Sequence, residues 1–464
     1  MNRLIVVSNR VRLPQTSGAP GGLSVGVLAA LRQRGGTWVG WSGTLADEPS
    51  SSPHISEDGG IRYVTVDLPR AEFEGYYSGF CNGSLWPLCH YFPGRFRYDP
   101  AEYEAYNAIN RRFASVVAHK GNASDQVWVH DYQLIPMARY LRAEGIKGPL
   151  GFFLHIPFPH VEVLRVLPVY AELVRDLAQY DLVGFQTEQD LMAFRSAVRD
   201  VCGEEAVAVK SYVTVDGRKV GVGVFPIGID VESVAAQAAA AQADDQVRRL
   251  VAGVLGRRLL LGVDRLDYSK GLVERFTAYR HFLESSPEHL GRITYIQIAP
   301  LGRMNVAAYS EIRDALEQAA GQTNGQYADT DWTPIRYLNK DFPHHVLLGF
   351  LRCADVCAVT PVRDGMNLVA KEFVAAQDPE NPGVLVLSNM AGAARELTDA
   401  LLVNPYDEHA VAAALREALE LPLADRRACH AKMLAALKRN TIRHWHESFL
   451  ASLRSGRHLD GGSR

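Results

Sequence analysis

Thr360-Pro-Val-Arg-Asp-Gly-Met-Asn-Leu-Val-Ala-Lys-Glu372 is the stretch whose reading decides the fold. A short apolar strand, Asp355 to Val359, leads into it, and a helix of small and apolar residues leads out. Asp364 and Gly365 fall at the turn, where a carboxylate and a glycine suit a helix start. The spacing predicts that the amides of Met366 to Val369 are helix-terminal donors, able to receive a phosphate. Glu372 lies two turns further on, in reach of a sugar attached to that phosphate. Strand, glycine turn, open amides and two spaced carboxylates describe a nucleotide-sugar cradle. An ordinary strand-turn-helix with a good cap fits the same residues.

Outward from this stretch the same alternation recurs. Leu4 to Ser8, Thr37 to Trp41, Arg62 to Asp67, Val127 to His130, Gly151 to His155 and Leu182 to Phe185 read as strands. So do Leu259 to Val263, Ile293 to Ile298, Ile335 to Leu338, Val356 to Val359 and Val384 to Leu387. Helical runs such as Leu23 to Arg34, Leu272 to Leu283 and Ser310 to Ala320 intervene, the mark of parallel α/β sheets. After Asp230 the texture changes to an Ala/Gln-rich helical stretch, Val234 to Gln242, and the chain from Glu408 to Leu453 reads as almost wholly helical. The expected fold class is α/β, with two Rossmann-like domains facing across a cleft and ligands beyond the carboxyl ends of the strands. The expected boundaries are an acceptor domain over 1–230, a nucleotide-sugar domain over 231–440 and a C-terminal helix over 441–464 that returns to the first domain.

A 464-residue chain exceeds one core, and its 47% hydrophobic and 22% charged residues suit a globular protein. Lys plus Arg (49) nearly cancel Asp plus Glu (52), so no global field points to nucleic acid or a membrane. Any positive site is local. The opening Met1-Asn-Arg-Leu-Ile-Val-Val-Ser-Asn-Arg10 lacks a signal-peptide core, and no later run reaches the roughly 18 apolar residues of a membrane span. A cytoplasmic protein is expected. Cys81, Cys89, Cys202, Cys353, Cys357 and Cys429 are scattered without a Cys-x-x-Cys pair, which predicts buried free thiols rather than disulfides or zinc. His344-His345 and His444-x-His446 lack partner ligands nearby and read as helix-surface or cap residues.

Polar residues gather at successive strand ends. Arg10 follows the first strand, Asp131 follows Trp128-Val-His130, and His155 ends Phe152-Phe-Leu154. Arg265 and Lys270 follow Leu259 to Val263, Arg303 follows Ile296 to Ala299, and Asp364 follows Val356 to Val359. Arg265 and Lys270 bracket a turn that ends in Gly271 before a helix, so they suit a diphosphate whose charge grows as a glycosidic bond breaks. Arg supplies a planar fork and Lys a mobile point charge. Surface ion pairs with Asp264 or Asp267 fit the same residues. Gly21-Gly22-Leu-Ser-Val-Gly26 is a glycine turn opening a helix, but it is neither a dinucleotide fingerprint nor a P-loop, which disfavours a dehydrogenase or an ATPase. Tyr76, Tyr77 and Trp86, in a loop-rich segment from Glu72 to Tyr91, suit the walls of a sugar pocket or ordinary packing. His155 reads equally as a core histidine, and Asp131 as a helix cap.

Nearly the whole chain resembles one family, the trehalose-6-phosphate synthases, retaining glycosyltransferases of the two-Rossmann-domain GT-B type. The resemblance rests on Val7-Ser-Asn-Arg10, Gly21-Gly22-Leu, Leu85-Trp-Pro87, Val129-His-Asp-Tyr132, Phe153-Leu-His-Ile-Pro-Phe-Pro159 and Gly184-Phe-Gln-Thr187. It continues through Arg265-Leu-Asp-Tyr-Ser-Lys-Gly271, Ile298-Ala-Pro300, Arg363-Asp-Gly-Met-Asn-Leu-Val-Ala-Lys-Glu372 and Asn404-Pro-Tyr406.

The resemblance implies transfer of glucose from UDP-glucose to glucose 6-phosphate, with front-face attack in which the leaving phosphate oxygen takes the acceptor's proton. On the donor side it implies Arg265 and Lys270 on the diphosphate, Gly22 near it, Glu372 on the ribose, and Leu368 and Val369 on the nucleotide. Asp364, with Gly365, Met366 and Asn367, is implied to hold the transferred glucose, and His155 its 6-hydroxyl. On the acceptor side it implies Arg10 and Arg303 on the 6-phosphate, Tyr77 and Trp86 as sugar walls and Asp131 on the hydroxyls, with Arg12 a competitor of Arg10. It implies no metal and no cofactor beyond the nucleotide sugar, and a homo-oligomer, dimer or tetramer, is expected. A relative using GDP- or ADP-glucose or another acceptor, and a catalytically silent sugar-phosphate sensor, are the alternatives; the sensor is disfavoured by the presence of Arg265, Lys270 and Asp364.

Overall fold

Buried apolar strands alternating with helices produce two sheets, and the computed structural model describes residues 3–14, 22–48, 52–300 and 307–456. The chain divides into two compact units: the first extends to Ile227 and resumes at Arg443, and the second holds Gly228–Ile442. Among the described residues no helix is long and apolar enough to cross a membrane. All six cysteines are free; Cys81, Cys89 and Cys357 are buried and the other three are partly exposed.

The first unit carries β1 (Leu4–Arg10), β2 (Gly36–Ala46), β3 (His54–Asp58), β4 (Ile61–Pro69), β5 (Gln126–His130), β6 (Leu150–Phe153), β7 (Leu182–Phe185), β8 (Tyr212–Val215) and β9 (Arg218–Val224). Their order is β3-β4-β2-β1-β5-β6-β7-β9-β8, parallel except for the edge pairs β3–β4 and β8–β9. The second unit carries β10 (Arg258–Val263), β11 (Ile293–Ile298), β12 (Ile335–Leu338), β13 (Val356–Val359), β14 (Val384–Ser388) and β15 (Leu401–Val403), in the order β12-β11-β10-β13-β14-β15. Its paired strands run parallel throughout. Both sheets contain the doubly wound 3-2-1-4-5-6 order, which reverses direction beside its first strand. The reversals fall between β1 and β5 and between β10 and β13, so the expected α/β class with Rossmann-like domains is what forms.

Every expected strand is present, with small shifts at the ends. β1 continues through Arg10, whereas β6 stops at Phe153, so His155 lies two residues past its strand rather than on it. Four strands were not expected. β3 is exposed along its whole length and shows no apolar alternation, and β15 has only three residues. β8 and β9 join through Asp216-Gly217, both at positive φ (49° and 79°). An Asp-Gly pair between alternating residues is the sequence signal for such a hairpin.

The segment expected to be loop-rich is helical instead. Arg70–Phe73 continues into a π-helix, Glu74–Leu85, and then into Trp86–Cys89. A π-helix winds more loosely than an α-helix and is usually confined to one turn, often at a functional site. Here packing supports 12 residues of it: Tyr76 and Phe80 sit fully buried against Tyr106 of the helix Pro100–Lys120, with centroids 6.0 and 4.7 Å away. The C-terminal helix Ile442–Ser455 inserts Trp445 and Phe449 against Trp128 of β5, at 5.0 and 4.8 Å. A Cβ on Gly151 of β6 would lie 2.8 Å from the Phe449 ring, so only glycine admits the helix there.

One buried cation frames the second sheet. Arg275, in the helix Leu272–Ser285, is 1% exposed. Its guanidinium donates to Asp264 Oδ2 (2.6 Å), Gln297 Oε1 (3.0 Å), Thr360 Oγ1 (2.8 Å) and the Lys270 carbonyl (3.1 Å). It thereby ties together the carboxyl ends of β10, β11 and β13. Burial pushes the Asp264 carboxyl up and Arg275 pulls it back, while the same carboxylate holds Arg275 above the ordinary arginine range despite burial. Arg275→Leu strands Asp264 in the interior and is expected to cost about 3–5 kcal/mol in urea unfolding, part of which Asp264→Asn restores in the double variant. A loss below about 1 kcal/mol would show that the pair does not brace these strands.

Candidate active site

The turn after β10 is built by its own polar residues. Asp267 accepts from the Ser269 amide (2.9 Å) and hydroxyl (2.8 Å), which closes the turn around Tyr268–Lys270. Gly271 then takes φ 62° at the start of the helix Leu272–Ser285, and a Cβ there would meet the Thr360 carbonyl at 2.5 Å. The Ser269 carbonyl receives the amides of Val362 (2.9 Å) and Arg363 (3.3 Å), which locks this turn to the chain leaving β13. Asp264 serves Arg275, Asp267 serves the turn, and Lys270, only 8% exposed, places Nζ 2.5 Å from Asp364 Oδ2. Arg265 is exposed at the head of the same turn.

Beyond β13 the helix begins later than expected. Asn367, not Asp364, is the N-cap: its Oδ1 accepts from the Ala370 amide at 3.2 Å, and the helix runs Leu368–Ala376. The Leu368 and Val369 amides therefore lie in the first turn, where a helix offers no carbonyl to pair with them. Asp364 instead stands ahead of the cap, accepting from Asn367 Nδ2 (3.0 Å) as well as Lys270, with Gly365 and Met366 between. Asn367 adopts φ 74°, a conformation that Asn tolerates better than most residues. Glu372, one turn into the helix, accepts from His344 Nε2 at 3.0 Å. That hydrogen bond raises the His344 pKa. His344 opens the helix His344–Cys353, in keeping with its reading as a helix-surface or cap residue, and in addition holds the Glu372 carboxylate.

In the first unit, Arg10 ends β1 with its guanidinium exposed over the Trp41 ring, 5.5 Å from the centroid. Gly22 is the first residue of the helix Gly22–Arg34. Tyr77 is half-buried on the π-helix and stacks on Phe73 at 5.1 Å. Trp86 is 3% exposed, between His90 (3.9 Å) and Tyr132 (5.7 Å), so little of its face is open to a sugar. Tyr76 is wholly a packing residue, its hydroxyl donating to Asn9 Oδ1 at 2.8 Å. Arg12 is half-buried, and Arg303 lies outside the described residues.

Asp131 is the strained residue of this unit. It takes φ 76° and ψ 167°, a region that essentially only glycine occupies. Three bonds hold it there: its amide donates to the Phe153 carbonyl (2.8 Å), its carbonyl accepts from the Leu134 amide (3.0 Å), and Oδ1 accepts from the His155 amide (3.1 Å). The side chain is thus aimed beside His155 rather than spent on capping a helix.

His155 Nε2 lies 3.0 Å from His130 Nδ1. Burial pushes His155 down to about 3 and His130 well below the ordinary range, so both rings are neutral. His130 Nε2 is buried without a partner among the described residues. A bare ring nitrogen is better tolerated there than an orphaned N–H. This assigns the proton to His130 Nδ1, leaving His155 to carry its own on Nδ1 as a neutral donor. Among the described residues the one group with metal-ligand spacing is Glu288, His289 and Glu420, none of which belongs to either candidate set.

Sequence reasoning passed over Arg275 and gave no partner to His344 or His130. Arg275 carries a readable signal, since it shares the helical stripe of Leu272, Phe276 and Tyr279 that is otherwise apolar. His344 and Glu372, 28 residues apart, and the tautomer role of His130 carry none.

Residues 6–455 match the model of glycosyltransferase family 20. The trehalose-6-phosphate synthase of Salmonella paratyphi B is 45% identical over 454 residues, covering 98% of this chain and 95% of that protein. A UDP-forming α,α-trehalose-phosphate synthase of Burkholderia xenovorans, solved with glucose 6-phosphate, superposes with a TM-score of 0.95 at 44% identity, over 97% of this chain and 100% of the other. The E. coli protein bound with UDP-2-fluoro glucose gives 0.93 at 44% identity, over 97% and 98%. With two Rossmann-like sheets and a family match along nearly its whole length, this chain belongs to glycosyltransferase family 20.

Proposed function

We propose that the chain transfers glucose from UDP-glucose to glucose 6-phosphate, giving α,α-trehalose 6-phosphate and UDP with retention of configuration. The observation that carries this reading is the Lys270 ammonium, withdrawn from water against Asp364 at the head of the Leu368–Ala376 helix. A cation so placed gains most when a leaving diphosphate gains charge. UDP is chosen over GDP or ADP because the E. coli relative binds a UDP-sugar, and glucose 6-phosphate because the Burkholderia xenovorans relative binds it.

In this reading Lys270 and Arg265 neutralise the donor diphosphate, with the Leu368 and Val369 amides on the nucleotide and Gly22 approaching the phosphates. Glu372, oriented by His344, takes the ribose hydroxyls. Asp364 receives a hydroxyl of the transferred glucose, supported by Gly365, Met366 and Asn367, and the His155 Nδ1–H donates to its 6-hydroxyl. On the acceptor, Arg10 and Arg303 hold the phosphate, Tyr77 and the accessible edge of Trp86 flank the ring, and Asp131 fixes hydroxyls. As the C1–oxygen bond to the diphosphate breaks, the departing oxygen takes the proton of the acceptor hydroxyl that attacks from the same face. No carboxylate nucleophile is used, in contrast to double displacement. The reading requires neither metal nor cofactor, and it includes a homo-oligomer, dimer or tetramer, working in the cytoplasm.

Purified protein given glucose 6-phosphate and UDP-, GDP- or ADP-glucose is expected to release UDP fastest, at a rate EDTA does not change. Preference for another donor, or silence with all three, would contradict the reading. Lys270→Ala is expected to lower kcat by about 100-fold or more, with a smaller change in the KM for UDP-glucose, because the partner charge grows in the transition state. An unchanged kcat with a raised KM would assign Lys270 to ground-state binding alone.

A further inference from the structure

The first unit has a second concave surface at the opposite end of its sheet. A cavity of about 860 Å3 opens where the strands begin, lined by the starts of β1, β2, β4 and β5 and by Pro149 just ahead of β6. Its charged lining is Arg3, Arg34, Arg62, Arg454 and Glu57, with Thr37 and Gln126 as the neutral polar residues. Four guanidinium groups thus face one hollow with a single carboxylate. Glu57 approaches Arg62 no closer than 3.9 Å, and no ion pair forms at the side chains of Arg3, Arg34 or Arg454 among the described residues.

Two further observations describe the surroundings of this cluster. Arg62 Nε and Gln126 Nε2 are buried without a hydrogen-bond partner, and Gln126 as a whole is 8% exposed. Arg34 is held below the usual arginine range, first by burial and then by Arg454 beside it. Glu447 opposes that effect, but it is held by Gln33 and Arg443 and does not line the cavity. Since the chain carries a net charge of −3, the positive field here is local and not a property of the whole surface.

We propose that this cavity is a second anion site, which binds a small phosphate-bearing molecule with several negative charges. Guanidinium forks match phosphate oxygens in pairs, and the volume suits a phosphorylated metabolite. The site is wired to the candidate active site by its own strands. β1 runs from the cavity to Arg10, β5 from Gln126 to His130 beside Asp131, and β6 from the cavity to Phe153, two residues short of His155. The helix Ile442–Ser455 carries Arg454 at one end and, toward the other, Trp445, whose ring meets His155 edge-on at 5.8 Å.

The test is equilibrium dialysis of the full-length protein carrying Lys270→Ala, which disables the catalytic diphosphate subsite, against radiolabelled inorganic pyrophosphate at constant ionic strength, with the arginine variants below dialysed in the same background. Saturable binding of one pyrophosphate per chain is expected. The Arg34→Ala/Arg454→Ala variant and the single Arg3→Glu variant are each expected to weaken it at least about fivefold, since each removes charge-assisted contacts. The double variant made without Lys270→Ala is expected to keep the parent's turnover in the absence of pyrophosphate. Binding that does not saturate, or that the double variant weakens less than fivefold, would overturn the proposal.

Discussion

The ion pair between Lys270 and Asp364 is the interaction on which the chemistry proposed for the second unit depends. It joins the turn leaving β10 to the turn leaving β13, at the one place where the strand order reverses. An ammonium this little exposed needs a partner charge, because removing it from water unpaired is expensive. With no substrate, Asp364 is that partner. A diphosphate would be a stronger one, and it would free Asp364 to accept from a sugar hydroxyl. The same residue then serves two states, a counter-ion in one and a substrate ligand in the other. Arg275 makes this possible, since it fixes the backbone of Lys270 through its carbonyl while holding Asp264 and Thr360.

The two units repeat one design. Each sheet reverses strand order beside its first strand, and in each some of the candidate residues end or follow the two strands that flank the reversal: Arg10 and Asp131 in the first unit, Lys270 and Asp364 in the second. Each also holds a non-glycine residue at positive φ in that place, Asp131 after β5 and Asn367 after β13. Such conformations persist only where surrounding bonds enforce them. At Asp131 those bonds come from β6 and the His155 amide, so the strain aims a carboxylate at a position an ordinary turn would not reach.

Much of this was legible in the sequence because apolar periodicity reports burial directly. The short parallel strands are buried on both faces and read as apolar runs, and the chemistry falls just after them by the geometry of parallel sheets. What was hidden lacked that periodicity. β3 is exposed throughout, so no pattern marks it. The π-helix Glu74–Leu85 has a period that neither the helix nor the strand template fits, and its glycines read as loop. The misplaced N-cap shows a different limit. Asp364 and Asn367 are both good caps by residue type, but Asp364 is engaged by the Lys270 ammonium, 94 residues distant in sequence, and by Asn367 Nδ2. His344 and His130 act through partners that no local spacing could reveal.

Titrating UDP into the parent protein and into Asp364→Asn, alongside steady-state rates, tests the exchange of partners most directly. If Lys270 passes from Asp364 to the diphosphate, the variant binds UDP several-fold more tightly, because the competing carboxylate charge is gone. It also transfers glucose far more slowly, because the sugar has lost its acceptor. UDP binding that is unchanged or weakened in Asp364→Asn would contradict the account, since Asp364 would then not compete with the diphosphate for Lys270.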